Sequence, residues 1–71
     1  MEYLVIIEEG NGNYGAYVPD LPGCVAVGDT RREAVRLIRE AIALHIDALR
    51  QAGEAVPPPT SKSELIKIRA A

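Results

Sequence analysis

The sequence predicts an α+β fold in which one long helix packs on a small, largely antiparallel sheet, in the order β-β-β-α-β. Three observations lead there. Short apolar runs near the amino terminus are separated by turns rich in Gly, Asn and Pro. One stretch of 3.6-residue periodicity follows, opened by a capping signal and closed by a glycine. After a proline run, the chain returns to two-residue alternation.

Glu2 to Glu9 reads as the first strand, with Tyr3, Val5 and Ile7 on one face and Leu4 and Ile6 on the other. Both faces are apolar, so cover on both sides is expected. Gly10-Asn11-Gly12-Asn13 is a hairpin signal, because Gly and Asn tolerate positive φ. Tyr14 to Pro19 is the returning strand, and Pro19 ends it for want of an N–H. Asp20-Leu21-Pro22-Gly23 makes a second turn. Cys24 to Val27 forms a third, β-branched strand that stops at Gly28-Asp29.

Thr30 and Glu33 form a capping box for a helix running from Arg31 to Ala52, with Gly53 as its left-handed terminator. On a helical wheel the apolar residues from Ala34 to Leu49 cover an arc of roughly 200°. A helix lying on one sheet needs a stripe little wider than about 100°. The excess predicts a further apolar contact, as does the two-faced first strand. A homodimer or tetramer is therefore expected, with Leu4, Ile6, Leu37 and Leu44 at its interface. Pro57-Pro58-Pro59 then extends the chain, Thr60 to Ser63 is loop, and Glu64 to Arg69 suits a final edge strand.

Composition narrows the functions. The 71 residues carry a formal charge of -2, which argues against a nucleic-acid binder with its basic footprint. The first residues are no signal peptide, and no run approaches the ~20 apolar residues needed to cross a bilayer. A soluble cytoplasmic protein with no membrane partner is expected. Cys24 and His45 are the only residues of their types, which excludes an internal disulfide and leaves too few ligands for a structural zinc.

Catalytic parts are scarce. Cys24 and His45 suit core positions better than a nucleophile and its base. Glu8, Glu9, Asp20 and Asp29 lie near strand ends without a diagnostic metal-binding spacing, and the glycines at 10, 12 and 15 precede no helix that would make a phosphate loop. Arg32, Arg36, Arg39 and Arg50 form a stripe on the helix, but neighbouring acids invite ion pairs, Arg36 with Glu40 and Asp47 with Arg50. No enzyme activity, cofactor or metal is expected.

The run Tyr17-Val18-Pro19-Asp20-Leu21-Pro22-Gly23-Cys24, followed by Gly28-Asp29-Thr30 and Glu33-Ala34, resembles the signature of HicB-like antitoxins. The likeness continues through Glu40-Ala41, Leu44-His45, Ala48-Leu49, Gly53, Pro57 and Pro59, and so covers nearly the whole chain. It implies a partial ribonuclease-H-like fold and the antitoxin half of a type II toxin–antitoxin pair. The partner implied is a HicA-type toxin, a small basic protein that cleaves mRNA. Many such antitoxins continue into an operator-binding domain. Here the sequence reaches Ala71 directly after the last predicted strand, so the expectation is one HicB-like domain over residues 1–71, with no direct DNA binding.

The turn composed of Tyr17, Pro19, Asp20, Leu21, Pro22, Gly23 and Cys24 is the candidate partner-contacting loop. Two other readings compete with toxin neutralisation. One is a ribonuclease-H-like nuclease whose metal would need Asp20, and the other is an oligomeric binding module with a different protein partner.

Overall fold

The computed structural model describes residues 1–70. Ile6–Glu9 (β1) and Tyr14–Tyr17 (β2) pair antiparallel, with Ile6 opposite Tyr17 and Glu9 opposite Tyr14. The loop between them closes with the Gly10 N–H donating to the Asn13 carbonyl at 2.8 Å. Gly12 supplies the left-handed residue this loop needs, at φ 81°. Val25–Gly28 (β3) pairs antiparallel with the other edge of β2, giving a three-stranded sheet in the order β1-β2-β3.

The strands are shorter than their apolar runs. The sequence predicts strands over Glu2–Glu9 and Tyr14–Pro19, yet pairing stops at Ile6 and Tyr17. Val18 already belongs to the next turn, where its carbonyl accepts from the Leu21 N–H at 3.1 Å. With β2 ended, the residues before Ile6 have no strand opposite them. Hydropathy marks which faces are apolar, but the partner's length sets where a ladder stops.

Arg31–Gln51 (α1) is the long helix. Thr30 Oγ1 accepts from the Glu33 N–H at 3.0 Å, and the Glu33 carboxylate accepts from the Asp29 N–H at 2.8 Å. The predicted capping box thus forms, with its return bond one residue before the cap. At the other end, the Glu54 N–H donates to the Leu49 carbonyl and the Gly53 N–H to the Arg50 carbonyl. These are the two bonds of a Schellman motif, with Gly53 at φ 71°.

The helix crosses the inner face of the sheet, packed most closely on β3 and least on β1. Gly28 explains the bias. A Cβ built there would stand 2.6 Å from the Ala34 backbone nitrogen, so only glycine lets α1 come down on β3. The core consists of Ala16, Val18, Leu21, Cys24, Ala34 and Ile38, with Tyr3, Val5, Ile7, Tyr14, Ala26, Ala41, Ile42 and Ile46 packed around it.

The α+β fold with three antiparallel strands and one long helix is the predicted one. The final strand is not. Residues 64–69 form no strand, and Leu65, Ile66 and Ile68 are 98%, 69% and 78% exposed. Alternation gives a segment two faces, but a strand also needs an edge to pair with, and this segment meets none in its own chain. The molecule measures 52 Å along its longest axis, well beyond the ~31 Å that a 21-residue helix spans.

Candidate partner-binding surface

The turn between β2 and β3 is built by backbone hydrogen bonds in two steps. Val18 to Leu21 closes the first. In the second, the Cys24 N–H donates to the Leu21 carbonyl at 3.0 Å, with Pro22 at the fixed-φ corner and Gly23 at φ 84°. That is the pattern of a type II turn, in which the third residue must be left-handed. Leu21 anchors the loop, since its side chain is completely buried.

The predicted contact set therefore divides. Leu21 and Cys24 belong to the core, and burial pushes the Cys24 thiol up, which keeps it neutral and unreactive. Tyr17, Pro19, Pro22 and Gly23 are exposed. Asp20 is turned to another task. Its carboxylate accepts from the Thr60 and Ser61 N–H groups at 2.9 and 2.8 Å, and from their hydroxyls at 3.2 and 2.7 Å. These bonds, led by those from Ser61, hold the Asp20 carboxyl below the ordinary aspartate range. The Tyr3 hydroxyl donates to the Pro57 carbonyl, a second tie between the ends of the chain. Sequence reasoning missed this clasp, because nothing in local spacing links position 20 to position 61.

The outer face of the sheet continues the exposed rim of the turn. Ala16 and Ile7 face the helix, so the alternate residues Ile6, Tyr17 and Val25 line up across all three strands on the side away from it. Val25 and Val27 are 64% and 62% exposed, and the exposed Glu8 shares the row of Val27, across Gly15. Of the predicted oligomer residues, Leu4 and Ile6 lie half-buried toward this outer side, while Leu37 and Leu44 sit on one flank of the helix, Leu44 exposed. These are two surfaces and not one.

On the solvent face of α1, Arg36 pairs with Glu40 at 3.5 Å, as predicted. Asp47 and Arg50 do not pair. An exposed pair of this kind contributes about 0.3–0.5 kcal/mol. Among the described residues no three His, Cys, Asp or Glu side chains come together as a metal site, and no helix is long and apolar enough to cross a membrane.

A small α+β domain with a rigid exposed turn, a partly bare apolar sheet face, and carboxylates such as Asp20 and Glu33 committed to structure offers a surface suited to protein recognition. The chain belongs to the HicB-like antitoxins: the family profile described as HicB_like antitoxin of bacterial toxin-antitoxin system matches residues 3–70. The chain is 43% identical over 58 residues to a UPF0150 protein of Thermoplasma acidophilum, covering 80% of this chain and 84% of that one. It is 30% identical over 64 residues to Antitoxin HicB 2 of Photorhabdus laumondii, covering 90% of this chain but 46% of the antitoxin. It also spans only 43% of an uncharacterized 14.9 kDa protein of Haemophilus phage HP1. Among solved structures, the N-terminal domain of Burkholderia pseudomallei antitoxin HicB superposes with a TM-score of 0.78 at 36% identity, covering 87% of this chain and 74% of that one.

Proposed function

We propose that this chain neutralises a HicA-type mRNA-cleaving toxin, as the antitoxin half of a type II pair, by laying its outer sheet face and β2–β3 turn over the toxin. The observation that carries this reading is the exposed cluster Tyr17, Val25 and Val27, continued by the half-buried Ile6 across the sheet's outer face, while the other face carries the helix. Contiguous exposed apolar surface rimmed by polar groups marks interaction sites. The turn adds Pro19 and Pro22, which are held by Leu21 and lose little conformational freedom on binding. A formal charge of -2 suits a basic partner, whose approach it would speed.

The nuclease alternative loses its key residue. Asp20 would have to release four hydrogen bonds before it could hold a metal. The test is co-purification with the product of the adjacent reading frame, followed by RNA cleavage with and without this chain. Tight association that suppresses cleavage is expected, and Val25→Arg should weaken it at least ~10-fold while the fold is retained. A folded Val25→Arg variant of unchanged affinity would move the contact off this face. Failure to associate at all would reject the toxin partnership.

A further inference from the structure

The first edge of the sheet is open, and an apolar groove runs beside it. Because α1 leans toward β3, the inner side of β1 is incompletely covered. The resulting groove of about 550 Å³ is lined by Tyr3, Val5 and Ile7 on one side and by Val35, Ile38 and Ile42 on the other, with Arg31, Arg39 and Glu2 as its charged residues. Neither arginine has an ion-pair partner among the described residues. The carboxy-terminal segment Glu64–Arg69 has the complementary pattern. Glu64, Ile66 and Ile68 share one face, and Leu65, Lys67 and Arg69 share the other. Its three large apolar side chains are all largely exposed.

We propose that Glu64–Arg69 of one copy adds as a fourth strand beside β1 of a second copy. Ile66 and Ile68 then fill the groove over Val35, Ile38 and Ile42, and Glu64 lies against the two arginines. Backbone pairing along an open edge supplies affinity, and side chains at alternate positions supply register. Leu65 falls on the outer side, the side of Leu4 and Ile6, while Lys67 and Arg69 on that same face stay in solvent.

Geometry favours a second copy over the chain's own groove. Pro57 is tied to Tyr3, on the β1 side, but Ser61 is tied to Asp20, in the turn between β2 and β3. The chain therefore travels away from β1 before the segment begins. Only Lys62 and Ser63 separate the clasp from Glu64, a reach of roughly 10 Å. Folding back would mean giving up the Asp20 clasp, whereas exchange between copies keeps it. The proposal does not rest on toxin binding, and its test involves the chain alone.

Sedimentation equilibrium of the full chain is the measurement, with two variants. Ile66→Glu with Ile68→Glu alters residues that are largely exposed in the isolated chain and lie outside its core, so it should fold normally by circular dichroism. Val35→Arg blocks the groove. The wild type is expected to associate at micromolar concentration, and either variant to weaken self-association at least about 100-fold, as loss of two buried isoleucines implies. Mixing the two variants should restore a 1:1 complex, since one intact segment then meets one intact groove. A monomeric wild type would overturn the proposal. So would an oligomer indifferent to the segment but broken by Leu44→Glu, which would place the contact on the helix flank.

Discussion

Two residues show how a position's surroundings decide what its side chain does. At Gly28 the constraint is space: any Cβ meets the backbone of Ala34 at 2.6 Å, and backbone cannot step aside as a flexible side chain would. Gly28→Ala should cost at least ~1–3 kcal/mol, the usual penalty for overpacking, read as a lower denaturation midpoint. At Asp20 the matter is charge. Hydrogen bonds from Ser61 and Thr60 favour the ionised carboxylate, so its folded pKa lies below its unfolded one. The stabilisation is then fully present above the unfolded value of about 3.9, and fades as pH falls through the folded one. Amide exchange at Thr60 and Ser61 should show unchanged protection from neutral pH down to ~5 and a loss below ~4. Protection that persists in the Asp20→Ala variant would show the clasp to be incidental. Both constraints were invisible in the sequence, where Gly28 reads as a strand terminator and Asp20 as a turn residue.

At the scale of elements, what could be read in advance was what local chemistry decides. The helix runs from Arg31 to Gln51 against a predicted Arg31 to Ala52, because Thr30, Glu33 and Gly53 act on their own neighbours. Thr30→Ala should therefore lower stability by about 1 kcal/mol, as seen by chemical denaturation, through the Glu33 N–H left without its acceptor. Removing the left-handed glycine with Gly53→Ala should cost a similar ~1 kcal/mol, because φ 71° strains any residue with a Cβ. Elements that depend on distant partners were harder to place. β1 begins at Ile6 and not Glu2 because β2 ends at Tyr17, and Glu64–Arg69 has a strand's alternation without a strand's edge. The candidate surface was half legible for the same reason. The pattern Pro22-Gly23 specifies a turn, but only the fold shows Leu21 and Cys24 pointing inward while Val25 and Val27, omitted from the predicted contacts, point out.

For the whole molecule, the small size of the core sets the terms. Only six hydrophobic side chains form the buried core, and a chain of this length hides only about 60% of its unfolded surface. Meanwhile β1 leaves a groove uncovered, and three large apolar side chains of Glu64–Arg69 stand in water. Joining the two between copies would bury both without changing the fold of either, and would make the stability of each copy depend on the presence of the other. Melting should then respond to concentration, since a partner that binds the folded chain and not the unfolded one shifts the equilibrium by mass action. Each tenfold rise in concentration is worth up to about 1.4 kcal/mol per association event. The wild-type melting temperature should climb by several degrees over a roughly hundredfold range, given the few degrees per kcal/mol of a domain this small. The Ile66→Glu, Ile68→Glu variant should melt at one temperature throughout, equal to that of the dilute wild type. If both proteins melt alike at every concentration, the exposed isoleucines contribute nothing to stability, and the groove beside β1 is not where two copies meet.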